Sequence, residues 1–384
     1  MPGQAEVREA VARGASRREG ALSVCFVAPY GWPVLAGDAS LGIVGGAEVQ
    51  QSILARLLAR RGCRVSMVSL DFGHAEGAEV DGVRLHKSFR PEAGVPVLRF
   101  LHPRLTSTWR ALRAADADVY YVRSASMLTS VVAGFCRRHG RRSIYAAASD
   151  ADFDPRSRQI RYARDRWLYR RGIARMDRIV VQNRAQLEAC RRVFGREAVL
   201  IQSCYEPPAR RASGDEVLWV GRLQQGKRPE LALEVARRLP HRRFVLVGGA
   251  AHGEQAPPAG YTDELRARAA ALGNVEMTGF LPLEAVEQRL DRARVLLNTS
   301  VYEGMPNTFL QAWARGVPTV ATVDVGAPVH RVAPDLDSLA REVERAAEDA
   351  VLRGRCREYF ERTHSPAAAL ERYARLFEEL YPPT

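Results

Sequence analysis

The sequence predicts an α/β protein with two doubly wound parallel sheets, each in its own domain. Short apolar runs typical of buried strands alternate with amphipathic helical segments along the whole chain. A length of 384 residues suits two domains better than one, and 46% hydrophobic residues is ample for two buried sheets. The periodicity breaks near residues 203–214, around Pro207-Pro208, and this break separates the two halves.

The expected strands are short and rich in β-branched residues. In the first half they are Leu22–Ala28, Val65–Leu70, Val119–Val122, Ser143–Ala147, Arg178–Val181 and Val199–Gln202. In the second half they are Val217–Val220, Phe244–Val247, Val275–Thr278, Val295–Asn298 and Thr319–Ala321. The clearest helix is Ala47–Arg61, and a last helix is expected at Ala367–Leu380. We therefore expect a disordered tail at residues 1–20, domains at 21–205 and 206–365, and a terminal helical segment at 366–384.

Composition excludes several classes of protein. The six cysteines are scattered, without C-x-x-C or metal-like His spacing, so we expect reduced thiols in a cytoplasmic protein and no bound metal. Residues 1–20 are polar and charged, unlike a signal peptide. The most apolar helical run, Met127–Cys136, is too short to span a bilayer.

Residues 303–322 are the most informative segment, because a carboxylate there precedes a helix start. The segment follows the expected strand Val295–Asn298; residues 306–308 open an amphipathic turn, and Gly316 ends it. Glu303 therefore lies at the carboxyl end of a strand, beside helix amides that attract a phosphate. An ordinary capped strand–loop–helix is the alternative, although open parallel sheets bind ligands at this edge.

A second segment carries two spaced cations directly after a strand. Arg222 and Lys227 follow the strand expected at Val217–Val220. Only Lys227 and Lys87 are lysines among the 57 basic residues, so a lysine at a strand end is unusual in this chain. A lysine offers a phosphate a compact point charge and an arginine offers it a planar fork, whereas two solvated surface cations are the alternative.

Together the two segments resemble the donor-site signature of retaining glycosyltransferase family 4, whose members have the GT-B fold. The matching residues are Arg222-x4-Lys227 and Glu303-Gly-Met-Pro-x4-Gln311, and Gly45-Gly-Ala-Glu48 is similar to the glycine loop of the family. The resemblance implies two Rossmann-like domains facing across a cleft. The N-terminal domain would bind the acceptor, the C-terminal domain would bind the nucleotide-sugar donor, and the last helix would cross back to the N-terminal domain.

The resemblance also implies roles for individual residues. Arg222 and Lys227 would hold the donor diphosphate, Glu303 would contact sugar hydroxyls, and Gln311 would reach the nucleotide ribose. The other implied donor-site residues are Gly45, Gly46, Gly221, Gly304, Met305, Pro306, Asn307, Thr308, Phe309 and Leu310, with the amides near 308–310 on the phosphates. The co-substrate would be a nucleotide-diphosphate-sugar, most commonly a UDP-sugar, with no further cofactor.

Gln311 stands where the family carries a second glutamate. Its amide still accepts a hydrogen bond from a ribose hydroxyl, but without charge assistance the bond is weaker by roughly a factor of two. Thr308-Phe-Leu-Gln311 also matches a capping box, in which Gln311 turns back to the helix start. Ribose contact and capping therefore remain open alternatives.

A second departure lies in the loop after the strand ending near residue 147. Many family members carry a histidine there, facing the sugar, whereas this chain has Asp150, Asp152 and Asp154. Asp150 would orient or deprotonate an acceptor hydroxyl, and we include it among the candidate catalytic residues. For Asp154, capping of the next helix is the favoured interpretation. Arg123, which ends another strand, would meet an anionic acceptor or donor phosphate, or simply pair with this acidic loop.

The excess positive charge is confined to the first half. Residues 1–200 hold 33 Arg and Lys against 19 Asp and Glu, whereas residues 201–384 hold 24 against 25. The excess peaks in an expected helix at 156–175, where Arg161, Arg164 and Arg171 are interleaved with aromatic residues. Such a helix suits an anionic membrane surface or an anionic acceptor; a solvated helix covering the sheet is the alternative.

The residues and the resemblance predict a retaining glycosyltransferase that moves a sugar to a glycan or lipid-linked acceptor. We expect it at the cytoplasmic membrane face, in cell-surface polysaccharide biosynthesis. One alternative is another GT-B enzyme, such as a nucleotide-sugar epimerase or a glycogen-type synthase. Another is an inactive basic relative that binds lipid or nucleic acid. Nothing in the sequence resembles an RNA-binding motif, so no nucleic-acid partner is expected.

Overall fold

The computed structural model of the protein describes residues 21–38, 45–94, 101–154, 160, 162–207, 210–250 and 257–381. The chain divides into two compact units, the first made of Met1–Cys204 and Pro366–Thr384 and the second of Tyr205–Ser365. Each is a parallel-dominated sheet with flanking helices, so the predicted α/β fold class is confirmed. The tail expected at residues 1–20 lies outside the described residues.

The described residues of the first unit form an eight-stranded sheet. Its strands are β1 (Ser23–Val27), β2 (Arg64–Ser69), β3 (Glu79–Val80), β4 (Val83–Lys87), β5 (Val119–Arg123), β6 (Arg142–Ala146), β7 (Arg178–Val181) and β8 (Val199–Leu200). Its helices are α1 (Gly31–Ala36), α2 (Gly46–Arg60), α3 (Thr106–Ala115), α4 (Leu128–His139), α5 (Ala163–Ile173), α6 (Arg184–Phe194) and, from the end of the chain, α13 (Pro366–Leu380).

The strand order of this sheet is β3-β4-β2-β1-β5-β6-β7-β8, and only β3 with β4 is antiparallel. Alternate residues of the central strands enter two separate apolar clusters, as the two-residue period of a strand requires. Phe26 packs in the cluster that also contains side chains of α2 and α13, whereas Cys25 and Val27 pack in the other. Helix α13 buries Leu370 and Tyr373 in this unit.

The second unit has a six-stranded sheet among its described residues, in the order β11-β10-β9-β12-β13-β14. Its strands are β9 (Glu216–Val220), β10 (Phe244–Val247), β11 (Val275–Gly279), β12 (Ala293–Asn298), β13 (Thr319–Ala321) and β14 (His330–Val332). Its helices are α7 (Pro229–Arg238), α8 (Tyr261–Leu272), α9 (Leu283–Leu290), α10 (Asn307–Ala314), α11 (Leu336–Glu348) and α12 (Ala350–Thr363). Every neighbouring pair of strands is parallel.

Three short strands, β3, β4 and β14, were missing from the prediction. The first two form a hairpin around Asp81 and Gly82, which adopt φ of 51° and 77°. An Asp-Gly pair is a strong signal for a two-residue hairpin turn, so the sequence did contain the information. Strand β14 has only three residues, of which Arg331 and Val332 are exposed, and therefore lacks a buried apolar run.

The basic helix is shorter than the prediction. It begins at Ala163, with Tyr162 at its N-cap, and residues 155–159 and 161 lie outside the described part of the chain. Asp154 therefore does not cap α5; instead it ends a 3₁₀ turn at Asp150–Phe153, whose cap is Ser149. In the parts of the chain that the structure describes, no helix is long and apolar enough to cross a membrane.

Candidate active site

Glu303 lies in the connection between β12 and α10, at the carboxyl edge of the second sheet. Its Oε1 accepts hydrogen bonds from Lys227 Nζ at 2.5 Å, Ser300 Oγ at 2.6 Å and Asn298 Nδ2 at 3.1 Å. Among the described residues, none donates to Oε2. One carboxylate oxygen is therefore saturated by the protein, while the other is left to accept a hydroxyl of a ligand.

The loop that carries Lys227 is tied to the loop that carries Glu303. Arg228 takes a left-handed conformation with φ of 47°, and its Nε donates to the carbonyl of Thr299 at 2.7 Å. The Thr299 hydroxyl donates to the Lys227 carbonyl at 2.7 Å and accepts from Trp219 Nε1 at 3.0 Å. These contacts fix the backbone of Lys227 and thereby help to hold its ammonium group beside Glu303.

Arg222 is exposed and, within the described residues, makes no hydrogen bond or ion pair through its side chain. The preceding turn is tightly packed: a Cβ on Gly221 would lie 3.0 Å from the Trp219 ring, and a Cβ on Gly248 would lie 1.7 Å from the Gly221 carbonyl oxygen. Only a glycine at 248 allows this approach of the two backbones. The turn thus presents an unpaired guanidinium group at the same sheet edge as the Lys227–Glu303 pair.

Helix α10 begins at Asn307, and its N-cap, Pro306, provides no side-chain cap. The capping-box interpretation is therefore wrong, because Gln311 is the fifth residue of the helix rather than the third. The amide of Phe309 already donates to the Pro306 carbonyl at 3.0 Å, which leaves the Thr308 amide as the better candidate for a phosphate. Met305, Phe309 and Leu310 are buried, so only their backbone can meet a ligand.

The side chain of Gln311 is buried, and its Nε2 donates to Glu287 Oε1 on α9 at 2.6 Å. Because a carboxylate only accepts hydrogen bonds, this contact orients the amide with its oxygen directed away from Glu287. An oxygen in that orientation is the group that would accept a ribose hydroxyl, and the ribose contact stays a prediction.

A buried arginine, Arg315, also donates a hydrogen bond to the Glu287 carboxylate. Arg315 bonds Glu287 and, through Nε, Asp291 at 2.7 Å, while Tyr205 donates to Glu287 Oε2 at 2.7 Å. Burial, followed by the charge of Glu287, raises the pKa of Tyr205 well above its usual range. The tyrosine therefore remains a hydrogen-bond donor at neutral pH.

In the first unit, Gly45 is the N-cap of α2, and a Cβ there would lie 2.1 Å from Glu48 Oε2. Burial raises the pKa of Glu48, although its own amide and Arg123 oppose this shift. The start of α2, which includes Gly46, is thus covered by a carboxylate of the chain itself.

Arg123 lies at the end of β5, where Nη2 donates to Ser203 Oγ at 3.1 Å and Nη1 to the Tyr121 hydroxyl at 3.4 Å. Among the described residues it forms no ion pair with the acidic loop. Its Nε is buried without a hydrogen-bond partner in that part of the chain. Arg123 is therefore a half-buried cation with one unused donor.

The aspartates of the loop are hydrogen-bonded internally. Asp150 Oδ1 accepts from Gln186 Nε2 at 2.8 Å and from Asn183 at 3.3 Å. Asp152 is buried, and its Oδ2 accepts from the Ala148 amide at 2.7 Å and the Tyr145 hydroxyl at 2.8 Å. Burial raises the pKa of Asp152 despite these bonds. A catalytic role for Asp150 stays a prediction.

The described part of the basic helix presents aromatic and cationic groups to solvent. Trp167 and Tyr162 are 58% and 56% exposed, and the Arg171 guanidinium lies 5.3 Å from the centre of the Trp167 ring. Arg164 is exposed and pairs with Asp165 at 2.8 Å. Arg161 lies outside the described residues.

Two family models match the two units separately. The model described as Glycosyltransferase Family 4 matches residues 44–204, and the one described as Glycosyl transferases group 1 matches residues 214–349. The chain belongs to glycosyltransferase family 4.

Two curated glycosyltransferases show partial similarity to the chain. Both are named D-inositol 3-phosphate glycosyltransferase. The protein from Mycobacterium sp. (strain KMS) is 36% identical over 116 residues, which are 29% of this chain and 26% of the relative. The protein from Mycobacteroides abscessus is 33% identical over 122 residues, 31% of this chain and 27% of the relative. The match therefore spans only about a quarter of the length of these relatives.

Solved structures match over nearly the whole chain. Sucrose-phosphate synthase from Thermosynechococcus elongatus has a TM-score of 0.71 at 18% identity, covering 94% of this chain and 99% of that one. Anabaena Alr3699/HepE in complex with UDP-glucose has a TM-score of 0.70 at 15% identity, covering 93% and 100%. These likenesses show the fold that the family resemblance implied.

Some residues at this edge of the second sheet were not identified from the sequence. Asn298 and Ser300 donate hydrogen bonds to Glu303, and Glu287 accepts one from Gln311. The first two stand within five residues of Glu303, so their polar side chains between a buried strand and a carboxylate were the available signal. Glu287 lies on another helix, 24 residues from Gln311, and no local pattern connects them.

Proposed function

We propose that the chain is a retaining glycosyltransferase that moves a sugar from a nucleotide-diphosphate-sugar to a glycan or lipid-linked acceptor. The reaction would take place at the cytoplasmic face of the membrane, in cell-surface polysaccharide biosynthesis. The observation that carries the proposal is the carboxyl edge of the second sheet, which presents Glu303 Oε2, the first amides of α10 and Arg222, whose side chain has no partner among the described residues. A carboxylate for hydroxyls beside cations and amides for phosphates is the chemistry that a nucleotide-sugar requires.

The donor is held by charge. Arg222 and Lys227 take the diphosphate, with the Thr308 amide, and Glu303 accepts hydroxyls of the sugar. As the bond to the leaving phosphate breaks, negative charge grows on that phosphate, and preorganised cations and amides stabilise it by about 3 kcal/mol for each donor group. UDP is the favoured nucleotide, and the structural neighbour from Anabaena was solved with UDP-glucose.

Transfer needs no histidine in the loop after β6. The acceptor oxygen forms its bond to the anomeric carbon while the carbon–phosphate oxygen bond breaks. The proton of the acceptor hydroxyl passes to the departing phosphate, which is the strongest base beside it. The new bond forms on the face that the phosphate leaves, so the anomeric configuration is retained.

The features of the first unit favour an anionic acceptor or surface. Helix α5 presents Trp167, Arg164 and Arg171 to solvent, a combination that suits the headgroup region of an anionic bilayer. Arg123 supplies a cation with an unused donor at the carboxyl edge of the first sheet. The curated relatives are named for D-inositol 3-phosphate, which is likewise anionic.

A product analysis tests the proposal. Purified protein is incubated with a panel of nucleotide-sugars, with and without a membrane extract as acceptor, and products are assigned by NMR. We expect consumption of one donor only when acceptor is present, and a product with the donor's anomeric configuration. An isomerised nucleotide-sugar without acceptor would indicate an epimerase, and an inverted product would contradict retention. Binding without any turnover would indicate the inactive relative.

A further inference from the structure

The second unit contains a cavity of about 1030 Å³ lined by a cluster of arginines. It borders the start of β12, the turn after α10 and one face of α12. It therefore lies at the amino edge of the sheet, opposite the edge that carries Glu303. The lining arginines are Arg211, Arg294, Arg315, Arg353, Arg357 and Arg362.

These arginines differ from many others on the same unit. Arg242, for example, pairs with Glu344 and Glu348, and Arg315 pairs with Glu287 and Asp291. Within the described residues, the other five lining arginines make no ion pair with a carboxylate. The cavity therefore brings together five cations that, within the described residues, have no carboxylate partner.

Two of the five are anchored by backbone carbonyls. Arg353 donates through Nη2 to the Ala212 carbonyl at 2.8 Å and through Nη1 to the Arg294 carbonyl at 3.4 Å. Arg294 in turn donates to the carbonyl of Ala347. These bonds hold the guanidinium groups in place without cancelling their charge.

The cluster is electrostatically unfavourable when empty. Burial, followed by the charge of Arg294, lowers the pKa of Arg353. Arg357 Nη1 is buried and has no hydrogen-bond partner among the described residues. Glu358 and Glu361 also border the cavity, but neither forms an ion pair with an arginine among the residues that the structure describes. Five unpaired arginines outnumber two glutamates, so an anion would relieve the repulsion and satisfy the unused donor.

The geometry points to a second anion site in this cavity, for a small molecule or headgroup that carries at least two phosphate charges. Planar guanidinium forks match phosphate oxygens in pairs, and the methylene stems of the arginines provide the apolar wall that ligand cavities require. The volume is large enough for a phosphorylated metabolite.

This site is separate from the donor edge. Strand β12 runs from Ala293, next to Arg294 of the cavity, to Asn298, which donates a hydrogen bond to Glu303. A strand rises about 3.3 Å per residue, so its six residues separate the two edges by roughly 17 Å. A phosphorylated molecule in the cavity would not reach Lys227 or Glu303, and its binding is independent of the proposed transfer reaction.

Titration with inorganic pyrophosphate tests the proposal. The full chain with Lys227→Ala is used as the background, so that the donor edge contributes little binding. We expect pyrophosphate to bind this protein and Arg357→Gln to weaken binding about tenfold, because one charge-assisted hydrogen bond is lost. Arg355→Gln is the matched control: it removes the same charge from the same helix, but Arg355 does not line the cavity.

Vesicles distinguish the two sources of phosphate. Phosphatidylcholine vesicles with and without phosphatidic acid are tested on the same variants. If only the binding of pyrophosphate depends on Arg357, the ligand is a free phosphorylated molecule. If binding to vesicles with phosphatidic acid also depends on Arg357, the ligand is a lipid headgroup. If Arg357→Gln and Arg355→Gln behave alike with both probes, the proposal is overturned. Arg362→Gln, at an exposed position of the rim, repeats the comparison should Arg357→Gln fail to fold.

Discussion

The carboxyl edge of the first sheet and that of the second are each stabilised by a different kind of side-chain contact. In the second unit two charged groups meet at this edge, because Lys227 donates a hydrogen bond to Glu303. In the first unit, Arg123 at the corresponding edge donates to the Ser203 and Tyr121 hydroxyls, and Ser203 donates to Gln182 at 2.7 Å; among the described residues Arg123 makes no ion pair. A phosphate can replace a carboxylate as the partner of a cation, and Arg123 has no such partner to exchange. The second edge is therefore the one that can change partners when an anionic ligand binds.

The largest expected effect on stability comes from removing Arg315, which follows α10 and pairs with Glu287 and Asp291. Arg315→Ala leaves Glu287 and Asp291 without their buried cation, and we expect a loss of about 3 kcal/mol in the free energy of unfolding of the second unit. This is the low end for a broken buried pair, because both carboxylates are about one-fifth exposed. Urea unfolding followed by tryptophan fluorescence measures it.

The matched control for that change is Arg345→Ala. Arg345 pairs with Glu342 at 2.8 Å but is 72% exposed, so its removal should cost between about 0 and 1 kcal/mol. Equal losses in the two variants would show that the charged support under α10 has no special importance.

The changes with the next largest expected effect are those of the Lys227–Glu303 pair. Lys227→Ala and Glu303→Ala are each expected to lower transfer at least about tenfold, which is about 1.4 kcal/mol of transition-state stabilisation. Their double variant should lose less than the sum, because the two side chains contact each other. Initial rates with the preferred nucleotide-sugar provide the measurement.

The chain offers one matched control for this lysine. Lys87→Ala removes the only other lysine, which lies in the first unit at 3.5 Å from Asp71. It should leave transfer close to the wild-type rate. Near-normal rates for Lys227→Ala, or an equal loss for Lys87→Ala, would refute the proposed donor site.

Gln311→Glu should have a smaller effect with a pH signature. It places a carboxylate against Glu287, and we expect the protein to lose about 1 kcal/mol in its free energy of unfolding at pH 7. The repulsion raises the pKa of this pair in the folded state, so the penalty is full above that pKa and disappears below about pH 4.3, the ordinary value for glutamate. Gln311→Met, which removes the bond without adding charge, should show no such recovery on acidification. A pH-independent loss in both variants would contradict the contact.

The smallest effect concerns the surface of the first unit. Arg164→Gln with Arg171→Gln should weaken binding to anionic vesicles about fivefold, and more at low salt. Arg164 contributes less than a full charge because Asp165 pairs with it. Arg138→Gln with Arg192→Gln, two exposed arginines on α4 and α6, is the control, and co-sedimentation is the measurement. If both double variants lose the same affinity, only the net charge of this unit matters.

The sequence predicted those features of the two edges that depend on local pattern. Lys227 and Glu303 were found because each follows a strand end. The bond from Gln311 to Glu287 was missed, because the two residues lie 24 positions apart on the successive helices α9 and α10, beyond the reach of a local sequence pattern. The capping box failed for a different reason: Pro306 is the N-cap, so the helix begins before Thr308. Cysteine chemistry was predictable only in part, since the sequence did not show that all six thiols are buried.

Ligand-dependent unfolding tests the central claim, a nucleotide-sugar site built on Lys227 and Glu303, most directly. Thermal unfolding is measured for the wild type, Lys227→Ala and Lys87→Ala with a panel of nucleotide-sugars. A UDP-sugar at about 100 times its Kd should stabilise the wild type and Lys87→Ala by about 2.7 kcal/mol. The same concentration should stabilise Lys227→Ala much less. Equal stabilisation of Lys227→Ala and the wild type, or none by any nucleotide-sugar, would contradict the claim.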